Sequence, residues 1–402
     1  MAATSDAAKQ GVNVEAVWSE LVRRLAALEE LVVGPGAPTL AQERVEGLRY
    51  LLRFVEAGLR LTQAGGDPDH PELVRMIENS VSWGLDNPDC NYSFARVRGG
   101  ASYRIGGRIG SARHLEIQVN TGHFGDGNIG GWRTVASLIR DEIQCDAAGN
   151  FEIVLGPDPA AAAPNRMVLD HEASFVLIRQ YFADWENERP ADLYIERLDG
   201  ELPRPALTEA AFAARAADLL QWIETGARSW AAMSRLVHAA PVHRVEMTPP
   251  LTGNAGLRGQ AYGMGHYQCA PDQALVLEFT PPQCRMWGVQ LCNVWWESME
   301  FARRQSSLNS HQAVLDPDGM FRGVVAHRDP GFANWIDCEG HTDGTIAVRY
   351  LFPDVVNPPA LRVVPLADLA RVMPASSPRV TAAERRQILA RRSRAVQLRY
   401  RY

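Results

Sequence analysis

None of the six cysteines of this 402-residue chain (Cys90, Cys145, Cys269, Cys284, Cys292 and Cys338) forms a Cys-x-x-Cys pair. That argues against a zinc knuckle or a dithiol redox site. No stretch of about 18 apolar residues exists, so no membrane-spanning helix is expected. The opening MAATSDAAKQGVNVEAVW lacks a basic segment followed by an apolar run. The expected location is therefore cytoplasmic, with reduced thiols. Neither Gly-x-x-x-x-Gly-Lys-Ser/Thr nor Gly-x-Ser-x-Gly occurs, which removes the phosphate loop and the hydrolase nucleophile elbow. Gly106-Gly-Arg-Ile-Gly110 lies between two strand patterns with no helix behind it, so a phosphate site at a helix terminus is missing too. The net charge of −6 gives no reason to expect nucleic acid as a partner.

What is present is an ordinary globular composition, 46% apolar and 22% charged. The length exceeds the roughly 100–200 residues of one domain, so two modules are expected. Ten tryptophans stand out, because Trp serves where a large apolar face with one polar handle is needed.

Residues 1–85 read as helical. Val14, Val17, Trp18, Leu21, Leu25 and Leu28 make one helical stripe, Thr39 precedes a second amphipathic run, and a third, shorter helix is expected after Pro71. Residues 86–204 alternate apolar with polar, as in Leu115, Ile117 and Val119, which signals half-buried antiparallel strands. Residues 205–245 revert to helix, 246–370 to strand, and 371–402 end in a basic helix opened by Thr381-x-x-Glu384. That helix, rich in arginine, is read as a docking or subunit-contact element, through which a homo-oligomer could form.

The two strand regions resemble one another. Asp146-x-x-Gly149 and Asp316-x-x-Gly319 lie 170 residues apart, as do Arg179-Gln-Tyr-Phe182 and Arg349-Tyr-Leu-Phe352. Leu115-Glu-Ile-Gln118 and Trp287-Gly-Val-Gln290 are offset by 172. Matches in the same order at near-constant offset point to an internal duplication. The fold expected is α+β and mainly antiparallel β: two sandwich or jelly-roll-like units, with helices before, between and after them.

The most chemically loaded segment runs from Val294 to Asn309 and holds Trp295, Trp296, Glu297, Arg304 and Asn309. Loops carried by a rigid sheet are where binding residues concentrate, although tryptophans and Arg–Glu pairs also hold a plain Ω-loop together. A second stretch holds His327, Asp329, Asn334, Trp335, Asp337 and His341. A His beside carboxylates suits a general base. The spacing of His327, Asp329, Asp337 and His341 matches no zinc or iron signature, so no metal is assigned, and no organic cofactor is expected. Ion pairing within the loop is the competing reading. The matching excursion of the first unit is glycine-rich and carries His123.

Gly288-Val-Gln-Leu-Cys-Asn-Val-Trp-Trp-Glu, Arg304-Gln-Ser-Ser-Leu-Asn, Val325-Ala-His-Arg-Asp-Pro-Gly and Asn334-Trp335 resemble the bacterial domain of unknown function twelve-fourteen. Asp86-Asn-Pro-Asp and Tyr103-Arg-Ile-x-Gly are similar to the opening of the same proteins, and the likeness spans roughly residues 85 to 365. The resemblance implies a sandwich or jelly roll. It assigns no activity, and its members look like parts of catabolic pathways for hydrophobic or aromatic compounds.

Together these readings predict a cofactor-independent lyase, isomerase or hydrolase for a small, largely apolar molecule such as a terpenoid, steroid-like or aromatic compound. The expected pocket lies between the units, lined by Trp295, Trp296 and Trp335. His327 is the expected acid–base group, oriented by Asp329 or Asp337, with Glu297 nearby. Arg304, Asn309, Asn334 and His123 are the expected substrate contacts. The rival reading is a non-catalytic sugar- or lipid-binding protein using the same tryptophans; an assembly protein joined through the terminal helices is the third.

Overall fold

The computed structural model describes residues 13–129, 131–158, 164–251 and 256–400. Residues 1–12, most of the stretch read for a leader, lie outside it, as does the end of the basic helix at 401–402. The first unit has nine strands: β1 (Val74–Ile77), β2 (Cys90–Arg96), β3 (Tyr103–Arg108), β4 (His114–Asn120), β5 (Thr134–Ile139), β6 (Asn150–Gly156), β7 (Arg166–Val168), β8 (Phe175–Tyr181) and β9 (Asp192–Arg197). The second has β10 (Arg244–Met247), β11 (Gln260–Gln268), β12 (Gln273–Phe279), β13 (Met286–Cys292), β14 (Ser307–Asn309), β15 (Phe321–Ala326), β16 (Trp335–Asp337), β17 (Asp343–Leu351) and β18 (Ala360–Pro365).

The wiring of the two units is the same. The five-stranded sheets run β1-β2-β8-β4-β5 and β10-β11-β17-β13-β14, and the four-stranded sheets β7-β6-β3-β9 and β16-β15-β12-β18. All pairings are antiparallel except β6–β7 and β15–β16, which are parallel in both copies. The Asp-x-x-Gly hairpins match in detail, with Gly149 and Gly319 at φ 83° and 80°. Only glycine adopts that conformation without strain. The duplication and the mainly antiparallel fold are thus features of the molecule. Two boundaries move: Val74–Ile77 is a strand paired with β2, where a third helix was expected, and β10 starts at Arg244. Val74 and Ile77 gain cross-strand partners there, and that tertiary pairing decides a segment too short to hold a helix.

Each unit is a sandwich whose core comes from alternate residues of its strands. Leu115, Ile117 and Val119 of β4 enter the first core; Ile346, Val348 and Tyr350 of β17 enter the second. Both strands are covered on their other face as well. Four long helices supply much of that cover: α1 (Val14–Ala27), α2 (Ala41–Leu59), α3 (Glu209–Gln221) and α4 (Ala227–His238). They share an aromatic core with the loops of both units, in which Phe54 stacks on Trp222 at 5.2 Å and Tyr50 on Trp295 at 5.3 Å. The basic helix α5 (Ala382–Arg399) docks within its own chain. Arg385 donates to the Phe332 carbonyl and Arg399 to the Pro88 carbonyl, both at 2.6 Å.

The units meet through a matched pair of contacts. Gln118 of β4 donates to the Gly256 carbonyl just ahead of β11, and Gln290 of β13 donates to the Asp86 carbonyl just ahead of β2, both at 2.7 Å. Next to each contact a main-chain N–H donates to a tyrosine hydroxyl, Asn87 to Tyr92 at 3.1 Å and Leu257 to Tyr262 at 3.4 Å. The internal repeat is therefore also an approximate two-fold relation at the junction.

Candidate functional site

The strand faces that turn away from the sandwich cores carry the chemistry. Along β17 these are Thr345, Ala347, Arg349 and Leu351; along β8 they are Phe175, Leu177, Arg179 and Tyr181. In register, Arg179 lies opposite Tyr92 and Arg349 opposite Tyr262. The two Tyr–Arg pairs converge on one cavity of about 370 Å³ at the junction of the two units and the helices. Trp83, Trp132, Trp230 and Trp296 give it four indole walls, and Asp86, Tyr181 and Met264 also line it. Its size falls in the ordinary range for a small-molecule site. Thr248, Met264 and Trp296 also line an adjoining groove of about 340 Å³ between α4 and β10.

Loops from both units shape the walls. Phe124 and Trp132 from the β4–β5 excursion meet edge to face at 4.9 Å, and Asp126 holds the Trp132 indole at 3.2 Å. Opposite them, Leu85 and Trp296 both have positive φ, 58° and 62°, and the Leu85 N–H donates to the Trp296 carbonyl at 2.8 Å. Residues held in this sparsely populated conformation cluster at ligand clamps. The Asn293 side chain fixes the turn by accepting from the N–H groups of Trp295 and Glu297.

Charge in the wall is unevenly matched. Arg179 has the Glu116 carboxylate 3.8 Å away, a group that is itself fully buried. Arg349 is equally buried, yet its guanidinium donates to the Gln290 amide oxygen and, at 2.5 Å, to the Leu85 carbonyl. Among the described residues no carboxylate stands within ion-pair distance of it. Asp86 accepts from Ser82 and Ser298, and burial nevertheless pushes its carboxyl above the usual range. Burial also holds the hydroxyls of Tyr92 and Tyr181 well above their ordinary value, so both are proton donors at neutral pH.

The residues singled out from sequence mostly sit elsewhere. Trp296 lines the cavity. Trp295 does not: it stacks under α2, with its indole donating to the Glu43 carbonyl at 2.7 Å. Trp335 lies in the second sandwich, its indole on the Ala326 carbonyl at 2.8 Å. The expected dyad of His327 with Asp329 or Asp337 does not form. His327 Nε2 contacts the Cys269 carbonyl at 2.8 Å, Asp329 accepts from Arg385 at 2.9 Å, and Asp337 accepts from Arg304 at 2.8 Å. Glu297, fully buried, pairs with Arg53 of α2 at 2.8 Å. Asn309 ties the units together through Asp89 at 2.6 Å, and Asn334 holds the Val314 carbonyl at 2.7 Å. His123 accepts from the Gly125 N–H at 3.0 Å, and burial, with Arg96 nearby, pushes it down to about 3. These polar groups are spent on holding loops and helices in place.

The residues that sequence reasoning missed are Asp86, Tyr92, Arg179, Tyr262 and Arg349. The signal for them was present, since Arg179 and Arg349 are the repeat markers themselves. A charged residue in the middle of a strand buried on both faces needs a reason.

Among solved structures the chain is similar to a putative uncharacterized protein from Burkholderia cenocepacia, with TM-score 0.82 and 29% identity, covering 89% of this chain and 98% of that one. This chain shares its fold. The VPA0106 protein from Vibrio parahaemolyticus is more distant, with TM-score 0.45 and 12% identity over 79% of this chain and 98% of that one. No family model and no curated protein matches. Among the described residues no helix is long and apolar enough to cross a membrane.

Proposed function

We propose that the chain binds a small, ring-bearing, largely apolar organic molecule with one anionic group, in the cavity between its two β units. The observation that carries this reading is Arg349, a buried cation bonded only to neutral oxygens in an otherwise aromatic wall. A buried charge is costly without a counter-charge, and a ligand carboxylate or enolate supplies one. The indoles then cover the apolar body of the ligand, and the Tyr92 and Tyr181 hydroxyls donate to its oxygen atoms.

Binding ranks ahead of catalysis because no histidine lines the cavity and His327 has no carboxylate partner. The enzymatic reading rests on Asp86. A carboxyl raised by burial, in the wall of a closed apolar site, can carry a proton to or from a bound molecule, as a lyase or isomerase requires. The resemblance to a family of unknown function, with members that look like parts of hydrophobic-compound catabolism, agrees with either.

The test is a titration of the full chain with naphthalene carboxylates and their primary amides, followed by tryptophan fluorescence. The acids should bind and the amides should bind at least tenfold more weakly. Arg349→Met should erase that difference. Equal affinity for acid and amide, or no quenching by any ring compound, overturns the proposal. If binding holds, Asp86→Asn separates the two readings, because it leaves affinity in place and stops any conversion of the bound molecule.

A further inference from the structure

A second cluster of metal-ligating side chains lies on the same sheet face as Arg349, toward the other end of β17. Asp343 opens β17, His266 lies on the neighbouring β11, and His238 is the last residue of α4. One donor atom from each can be chosen so that all three lie within 4.8 Å of one another. His238 Nδ1 is 3.5 Å from Asp343 Oδ1, and His266 Nε2 is 2.6 Å from Asp343 Oδ2. We infer that His238, His266 and Asp343 form a binding site for a divalent transition-metal ion of the zinc or cobalt class.

Three observations support it. The first is donor chemistry, since two imidazoles and one carboxylate are the set that suits zinc, iron and their neighbours rather than calcium or magnesium. Bonds of about 2.0–2.1 Å place adjacent ligand atoms roughly 3.3 Å apart, close to the His238–Asp343 separation. The second is local charge. The buried Glu43 carboxyl is raised, by burial first and by Asp343 next. Among the described residues no arginine or lysine stands within ion-pair distance of either carboxylate, so the neighbourhood is short of a cation. The third is His266 Nδ1, a buried ring nitrogen without a hydrogen-bond partner. Nothing on that side pins the tautomer. The ring can hold its proton there and present the Nε2 lone pair to an ion.

Access and adjustment are also provided for. His238 and Asp343 keep 17% and 25% of their side-chain surface exposed, so an ion can reach them from solvent. The two imidazoles now lie parallel, 4.9 Å apart at 17°. Ligation requires one ring to turn out of that stack. His238 is the freer of the two, because it ends a helix and its Nε2 is held only by the Thr345 hydroxyl at 3.2 Å. A bound ion would clamp α4, which carries Trp230 into the cavity wall, onto the second unit. The site is separate from the cavity, and its test does not depend on the ligand proposed above.

The experiment uses the full chain after chelator treatment, titrated with Zn²⁺ and with Co²⁺. One equivalent should bind per chain, Co²⁺ should show visible absorption bands of nitrogen and oxygen ligation, and thermal unfolding should shift upward with Zn²⁺. His238→Ala, at a partly exposed helix end, should weaken Zn²⁺ at least tenfold with an unchanged far-UV spectrum. Asp343→Asn should do the same, and His327→Ala should leave the affinity as it is. If the folded wild-type chain takes up no Zn²⁺ at micromolar concentration, the site does not exist. If binding survives both His238→Ala and Asp343→Asn, the ion sits elsewhere and the inference fails.

Discussion

The two β units share a strand order, a hairpin and a paired set of junction contacts, but they spend their long excursions differently. In the first unit the loop between β4 and β5 keeps its hydrogen bonds to itself. Asp126 accepts from its own loop at His123, Asn128 and Trp132, and the product is a wall of the cavity. In the second unit the equivalent loop reaches outward. Glu297 pairs with Arg53 and Trp295 stacks under Tyr50, so this loop fastens the helices to the sheet and contributes only Trp296 to the cavity. The loop richest in charge and aromatic groups is thus mainly a structural clamp, while the plainer glycine-rich loop carries cavity-lining rings. Density of chemically able residues marks strong local interactions, and these are as often structural as functional.

Removing the clamp should be the largest single effect. Glu297→Ala leaves the Arg53 guanidinium, a partly buried cation, without its partner. Breaking such a pair costs about 3 kcal/mol or more. The matched change in the first unit, Asp126→Ala, removes contacts within one exposed loop and should cost about 1 kcal/mol. Urea unfolding of the two variants checks the ratio, and equal losses would remove the distinction between clamp and wall.

Acid should sharpen the contrast next. The first unit holds two neutral histidines, His114 and His123, each pushed down to about 3 by burial, with Arg285 and Arg96 respectively adding to it. In the unfolded chain both take up a proton near pH 6.5. Their contribution is therefore complete above that pH and is lost as pH falls from about 6.5 toward about 3. At pH 5 the loss is about 2 kcal/mol per histidine. In the second unit His341 is raised instead; burial opposes protonation, but the hydrogen bond and charge of Glu46 outweigh it. That pair stabilises at low pH and weakens as pH rises through the folded value. Stability measured at pH 7 and pH 5 should accordingly fall less for His123→Gln than for the parent, whereas His341→Gln should fall more. A parallel pH response in all three would show that neither histidine titrates as described.

How legible this was from sequence varied with the range of the interactions. The repeat, the antiparallel strands and the terminal helix were readable because alternation, turn chemistry and the Thr381–Glu384 box are local. The strand at Val74–Ile77 was not, because its partner β2 decides it. The cavity was the least legible part. It draws on residues as distant as Trp83 and Arg349, and no spacing rule joins positions that only the packing of two units brings together. Trp296 was found because it sits in a conspicuous motif, whereas Arg179 and Arg349 were seen as marks of ancestry. Their mid-strand position, between apolar neighbours that face a core, was the physical clue to a buried charge.

The smallest predicted difference bears most directly on the two-fold relation itself. Gln118 and Gln290 make the same cross-unit bond, at the same 2.7 Å, to carbonyls that correspond in the repeat. If the junction were truly symmetric, Gln118→Leu and Gln290→Leu would each cost about 1 kcal/mol, the net worth of one such bond. Gln290 has a further task, because its amide oxygen accepts from Arg349. Gln290→Leu therefore strips a buried guanidinium of one of its two neutral acceptors and should cost about 1 kcal/mol more than its counterpart. A ligand carboxylate can replace that acceptor. The excess penalty should accordingly shrink when a bound aromatic acid is present, while the Gln118→Leu penalty should stay the same. Comparing denaturant midpoints of the two variants with and without the acid reads out both the asymmetry and the charge it leaves to be met.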